Sequence, residues 1–155
     1  MMEEKASNKV TLRKIRQLRL YIHDFEVLIK ELEHYLGRGP SMPYFLTYTL
    51  AVSGRRVGEV LMLTTKDVDF ENKTVTWRIE KKHGPAFLTL PMPSKWFGYL
   101  EDHVRYYNIM YFIFTGERKN SVFMGEPISY DTARIWVRKV TNELIGHPLN
   151  PHDLR

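Results

Sequence analysis

The 155-residue sequence contains no cysteine, which removes disulfide frameworks, thiolate-bound zinc, iron–sulfur clusters and thiol nucleophiles from consideration. Long apolar runs are missing too. The longest, Ile109–Phe114, falls far short of the roughly 20 residues a membrane helix needs, and Met1–Asn8 is too charged for a secretory leader. No internal repeat or low-complexity segment is present. Negative charge is in the minority: 18 Asp and Glu face 23 Lys and Arg, giving a net charge of +5 and a pI of about 9.4. Such a balance favours a polyanionic partner, nucleic acid first. At 43% hydrophobic and 13% aromatic residues the chain is too apolar for a disordered basic tail, so its charge belongs on a folded surface. The length suits one domain with a helical appendage, not two full domains. A soluble, cytoplasmic protein with no membrane contact is expected.

Apolar residues at Ile15, Leu18, Ile22, Phe25, Ile29, Leu32 and Leu36 alternate by three and four, which predicts a long amphipathic helix closed by Gly37-Arg38-Gly39-Pro40. It reads either as a dimerisation coiled coil or as a helix packed on its own domain. Residues 1–40 are accordingly set apart from a body at 41–155. Within that body, helices are predicted over Ser41–Val52 and Val57–Leu63, with Ser53-Gly54 between them. Strands are predicted at Asp67–Phe70, Thr74–Ile79 and Ala86–Leu90, with polar turns at Glu71-Asn72-Lys73 and His83-Gly84-Pro85. Pro91 and Pro93 end the last strand, Ser94 can cap a helix reaching Asn108, and Gly116–Asn120 lead to a short extended piece at Ser121–Met124. A final helix starts near Ser129, with Ala133, Trp136, Val137, Val140 and Leu144 on one face, and Gly146-His147-Pro148 closes it. The fold class is therefore α+β, mainly helical, with helices around a small three-stranded antiparallel sheet.

Three short blocks carry usable chemistry. Ser53-Gly54-Arg55-Arg56-Val57-Gly58-Glu59 is a glycine turn that sets arginines at a helix start, with Glu59 three residues beyond Arg56. A guanidinium fork there suits two oxygens of one phosphate. Pro151-His152-Asp153-Leu154-Arg155 places an imidazole and a guanidinium on one face of a helical turn, a pair that can hold a phosphate and move a proton. Glu80-Lys81-Lys82-His83 puts lysines at a hairpin tip, where an ammonium can reach into a neighbouring groove. Taken singly, each also reads as ordinary surface charge. His147, His152 and Asp153 lie across a proline-interrupted loop with no third strong ligand nearby, so no metal site is expected.

Together, and in order, these blocks resemble the catalytic domain of the tyrosine recombinase (phage integrase) family. The family's Thr-Gly-x-Arg-x-x-Glu is matched by Ser53–Glu59, with serine in place of threonine, and its Asp-hydrophobic-Asp strand by Asp67-Val68-Asp69. Its lysine hairpin with a Val-Pro-Leu-Pro-like end is matched by Lys81-Lys82-His83 and Leu90-Pro91-Met92-Pro93, a hydrophobic strand by Val122-Phe123, and its His-x-x-Arg by His152–Arg155. The match covers roughly Ser41 to Arg155.

The resemblance implies that a tyrosine hydroxyl attacks a DNA phosphate, that a 3′-phosphotyrosine preserves the bond energy, and that a 5′-hydroxyl rejoins the strand, with no metal or other cofactor. It assigns Arg56 and Arg155 to the nonbridging phosphate oxygens, Lys82 or its neighbour Lys81 to protonation of the leaving 5′-oxygen, and His152 to proton transfer or phosphate binding. Glu59 supports these groups. Arg55, Lys81, Arg134, Arg138 and Lys139 are expected to contact double-stranded DNA, with self-association on the DNA, through the 15–36 helix in one reading. The family's nucleophile follows the His-x-x-Arg block, whereas the tyrosines here, at 21, 35, 44, 48, 99, 106, 107, 111 and 130, all precede it. No nucleophile is therefore expected in this chain. Ile145-Gly146-His147 is similar to a later family block but stands in the wrong order and reads as a helix-ending turn. A catalytic-domain fragment is expected, with an exposed apolar patch and a poorly ordered end near Pro148–Arg155. The alternative is a non-catalytic DNA-binding or regulatory relative.

Overall fold

The computed structural model describes residues 22–116 and 125–155. Helix α1, over 22–36, turns Leu28, Leu32 and Leu36 into the core, while Ile22 stays 49% exposed. The buried face is thus offset from the expected stripe, whose Ile15 and Leu18 lie outside the described residues. The helix stops where the Gly37 N–H donates to Glu33 O, an approach so close that a Cβ at Gly37 would stand 3.2 Å from that oxygen.

Helix α2, Met42–Ser53, is the central pillar, with every residue from Tyr44 to Ala51 buried. Surrounded on all sides, it needs internal partners for its polar atoms. The Thr47 and Thr49 hydroxyls donate to the carbonyls of Pro43 and Phe45, at 2.9 and 2.8 Å, and Thr49 Oγ1 also accepts Trp96 Nε1–H at 2.9 Å. Gly54, at φ 65°, ends the helix with its N–H on Leu50 O. A short helix α3, Val57–Leu61, and a 3₁₀ turn, Thr65–Asp67, lead to the sheet.

Strands β1 (Val68–Asp69), β2 (Thr74–Lys81) and β3 (Gly84–Pro91) form an antiparallel sheet in the order β1-β2-β3. The first strand is shorter than its pattern predicts, because Thr65–Asp67 close into the 3₁₀ turn, with Asp67 Oδ2 accepting the Thr64 N–H at 3.0 Å. The hairpin tip is tighter than predicted. Pairing runs to Lys81↔Gly84, which leaves Lys82-His83 as the connection, with Gly84 at φ 114°. Pro85 then lies on the edge strand, where a missing N–H is tolerated.

Helix α4, Ser94–Tyr107, has Pro93 as its cap residue, and Ser94 is already helical rather than capping. The predicted piece at Ser121–Met124 lies outside the described residues. Helix α5, Tyr130–Ile145, begins with Ser129 Oγ accepting the Thr132 N–H at 3.1 Å and ends at Gly146. It packs on α2 through Ala133, Val137, Val140 and Thr141. Among the described residues the architecture is α+β and mainly helical, with one core running from Leu28 to Leu154. No helix among them is long and apolar enough to cross a membrane.

The expected poor order near Pro148–Arg155 is corrected. Pro151–Leu154 form a 3₁₀ turn with Pro151 and Leu154 buried, because polar groups upstream hold the turn in place. A shallow apolar depression of about 350 Å³, lined by Ile22, Phe25, Val52 and Leu154, lies beside it.

Candidate functional site

Gly54 reverses the chain at the end of α2, and the next two residues, Arg55 and Arg56, enter an open groove of about 880 Å³. Glu59, Arg78 and Arg155 line the same groove, with Val57, Met62, Ile79 and Ile128 supplying its apolar wall. Glu59 does not pair with the Arg56 guanidinium. Its Oε1 accepts the Arg56 backbone N–H at 3.0 Å and so caps the start of α3. The Arg56 guanidinium therefore has no acidic partner among the described side chains. Arg55 Nε is buried with no hydrogen-bond partner among the described residues.

Arg155 reaches this groove through a relay of local hydrogen bonds. Thr141 Oγ1, on α5, accepts the Leu149 N–H at 2.8 Å, and Arg138 Nη1 donates to Asn150 Oδ1 at 3.0 Å. Asp153 Oδ2 accepts the Asn150 N–H at 2.8 Å, which closes the 3₁₀ turn. Arg155 Nε then donates to Gly54 O at 3.1 Å, across a separation of 101 residues. Its terminal nitrogens stay available to a ligand. Two arginines from distant blocks are thereby fixed to one backbone turn, the preorganisation that anion binding rewards.

The remaining predicted residues are distributed differently. Lys81 ends β2 and Lys82 occupies the hairpin turn, both exposed and neither lining the groove. His152 is exposed on the 3₁₀ turn, outside the groove lining. Arg134 and Lys139 are exposed on α5, while Arg138 is half-buried and engaged with Asn150. Arg78 escaped the sequence reading. Its signal was present in the alternation of β2, where Val75 and Trp77 face inward and so leave Arg78 on the other side. Among the described residues no cluster of His, Asp or Glu is placed to hold a metal. Of the described tyrosines none lines the groove, and Tyr44 and Tyr48 are held above the usual tyrosine range by burial first, Tyr44 further by its bond to Glu143.

No family model and no curated protein matches the sequence. Solved structures do match. XerA recombinase aligns with a TM-score of 0.60 and 18% identity over 85% of this chain and 45% of its own. XerH site-specific recombinase, bound to palindromic difH substrate in a post-cleavage complex, gives 0.62 and 16% over 85% of this chain and 38% of its own. The Tn1549 transposon integrase, in complex with transposon right end DNA, gives 0.52 and 17% over 83% of this chain and 48% of its own. The chain spans less than half the length of each. These neighbours are tyrosine recombinases, and the chain shares their fold.

Proposed function

We propose that this chain is the catalytic core portion of a tyrosine recombinase that binds duplex DNA in site-specific recombination or integration. The observation that carries the reading is the convergence of Arg56 and Arg155 on one groove, fixed by the Arg155–Gly54 hydrogen bond. Both belong to blocks that the family resemblance assigns to the scissile phosphate. In the proposed reaction a tyrosine oxygen bonds to phosphorus as the bond to the 5′-oxygen breaks, and that oxygen leaves as a hydroxyl. Attack by a 5′-hydroxyl reverses the step and releases the tyrosine. Arg56 and Arg155 offset the charge on the pentavalent phosphorus. Lys82, or Lys81, donates the proton to the leaving oxygen after the hairpin tip moves over the DNA, and His152 assists that transfer. Glu59 acts by holding the backbone of Arg56. Arg55 and the cations of α5, Arg134 and Lys139, extend the contact to flanking phosphates, while Arg138 acts first by holding Asn150. Self-association on DNA belongs to the same proposal.

A second reading, a DNA-binding relative without its own cleavage activity, is favoured by the lack of any described tyrosine on the groove wall. Incubation of the 155-residue protein with a nicked duplex that traps cleavage separates the parts. Salt-sensitive binding is expected, weakened by Arg56→Ala and by Arg155→Ala, with no denaturant-resistant protein–DNA adduct. An adduct formed by this chain alone would overturn the expectation that none of its own tyrosines is the nucleophile. Binding unchanged in both variants would remove the phosphate clamp.

A further inference from the structure

Arg78 stands on β2 opposite Phe87 of β3, which offers no acceptor to its guanidinium. One row along, Thr76 and Thr89 satisfy each other through hydroxyls 2.8 Å apart. Arg78 is exposed, has no carboxylate partner among the described side chains, and faces the same groove as Arg56 and Arg155. A lone arginine on an outer strand face is ordinarily a solvated charge. Here two observations argue otherwise. Among the described side chains, the groove gathers Arg55, Arg56, Arg78 and Arg155 around a single carboxylate, Glu59, which is already committed to the Arg56 N–H. Its volume of about 880 Å³ also far exceeds one phosphate group, which takes on the order of 60 Å³ at about 30 Å³ per water-sized unit. Like charges left facing one cavity repel, so the arrangement is stable only where anions or water fill the space.

We infer that Arg78 binds a second backbone phosphate of the same duplex, beside the one held by Arg56 and Arg155 in the shared groove. The inference rests on the groove being a phosphate site, and the closing experiment tells the two failures apart. Duplex binding is measured across a salt series for the wild-type protein, Arg56→Ala, Arg78→Ala and Arg78→Lys. Losing one neutralised phosphate lowers the slope of log affinity against log salt by about 0.9, equivalent to an eightfold loss at about 0.1 M salt. Arg78→Ala is expected to show this loss, and Arg78→Lys, which keeps the charge, to restore the slope. A slope unchanged in Arg78→Ala but flattened in Arg56→Ala overturns the second phosphate and leaves the groove reading intact. Slopes unchanged in both overturn the two together. Should Arg78→Ala also melt at a lower temperature, Arg78→Lys decides: a wild-type slope supports the inference, and a slope equal to that of Arg78→Ala overturns it.

Discussion

His103, on α4, is 1% exposed and packed against the rings of Phe45, Tyr107 and Phe114, with centroids 4.9, 5.0 and 6.0 Å away. Its Nε2 lies 2.8 Å from Ile113 O. A carbonyl only accepts, so Nε2 carries the proton, and Nδ1 is left buried without a partner among the described residues. Burial pushes the pKa down to about 4, against which the Ile113 hydrogen bond acts more weakly. Between about pH 4 and 6.5 the unfolded chain then binds more protons than the folded one, so stability falls as the pH drops through that window. The expected loss from pH 7 to pH 5 is about 2 kcal/mol. Urea unfolding midpoints at the two pH values check it, and His103→Gln, which cannot titrate, should lose distinctly less over the same step. An equal acid sensitivity in the variant would assign the effect to other groups. Glu59, expected to support the phosphate-binding groups, bonds to backbone. Its spacing from Arg56 fits an ion pair, but a side chain at that position of a first helical turn also reaches the free backbone N–H, and here it does.

Gly54 joins the end of α2 to both arginine blocks, since it precedes Arg55 and its carbonyl anchors Arg155. At φ 65° an added Cβ meets nothing within 4 Å, so the cost of a side chain is conformational rather than steric. Gly54→Ala is expected to cost about 1 kcal/mol, seen as a melting temperature lowered by about 3 °C. Because the strain falls on the turn that holds Arg155, DNA affinity should drop along with it. A variant that melts lower yet binds as wild type would dissociate the turn from the site. Elements α4, α5 and β2 were legible because burial on one face imposes a period on the sequence, whereas α2 showed as an apolar run ended by Ser53-Gly54 and β3, mostly exposed, as a short run between turn residues and Pro91. What escaped was set by contacts distant in sequence. The tight Lys82-His83 connection follows from the register of two whole strands. The terminal turn depends on Thr141, Arg138 and Asn150, whose polar side chains look like surface in a one-dimensional reading. The arginine blocks could be read because local turns present them. For Arg78 only the outward direction is legible, in the alternation of β2, and the packing of the sheet brings that face to the groove.

Across the whole molecule, α1 is tied to the body by apolar and polar contacts. Leu28, Leu32 and Leu36 belong to the same buried cluster as Phe45, Trp96 and Val137. Lys95 Nζ lies 2.7 Å from Glu33 Oε2, the Tyr99 hydroxyl donates to Glu33 O at 3.2 Å, and His147 Nε2 lies 3.2 Å from Asp24 Oδ2. These bonds link α1 to the start of α4 and to the turn after α5. The two ion pairs lie at the surface and contribute little on their own, and the Tyr99 bond is a single partly buried hydrogen bond, so the leucines decide whether α1 unfolds with the rest. Leu32→Ala removes a fully buried side chain, at an expected cost of about 2–5 kcal/mol. The buried Trp77 and Trp96, on β2 and α4, report by fluorescence on the body, whereas circular dichroism reports on all helices, α1 included. Both signals should follow a single denaturant transition in the wild-type protein, and both should move to lower denaturant together in Leu32→Ala. If α1 were an independent appendage, helical signal would fall before the fluorescence changed, and Leu32→Ala would shift only that early step. Coincident curves would instead make α1 part of the cooperative unit that holds Gly54, and through it Arg56 and Arg155, in place.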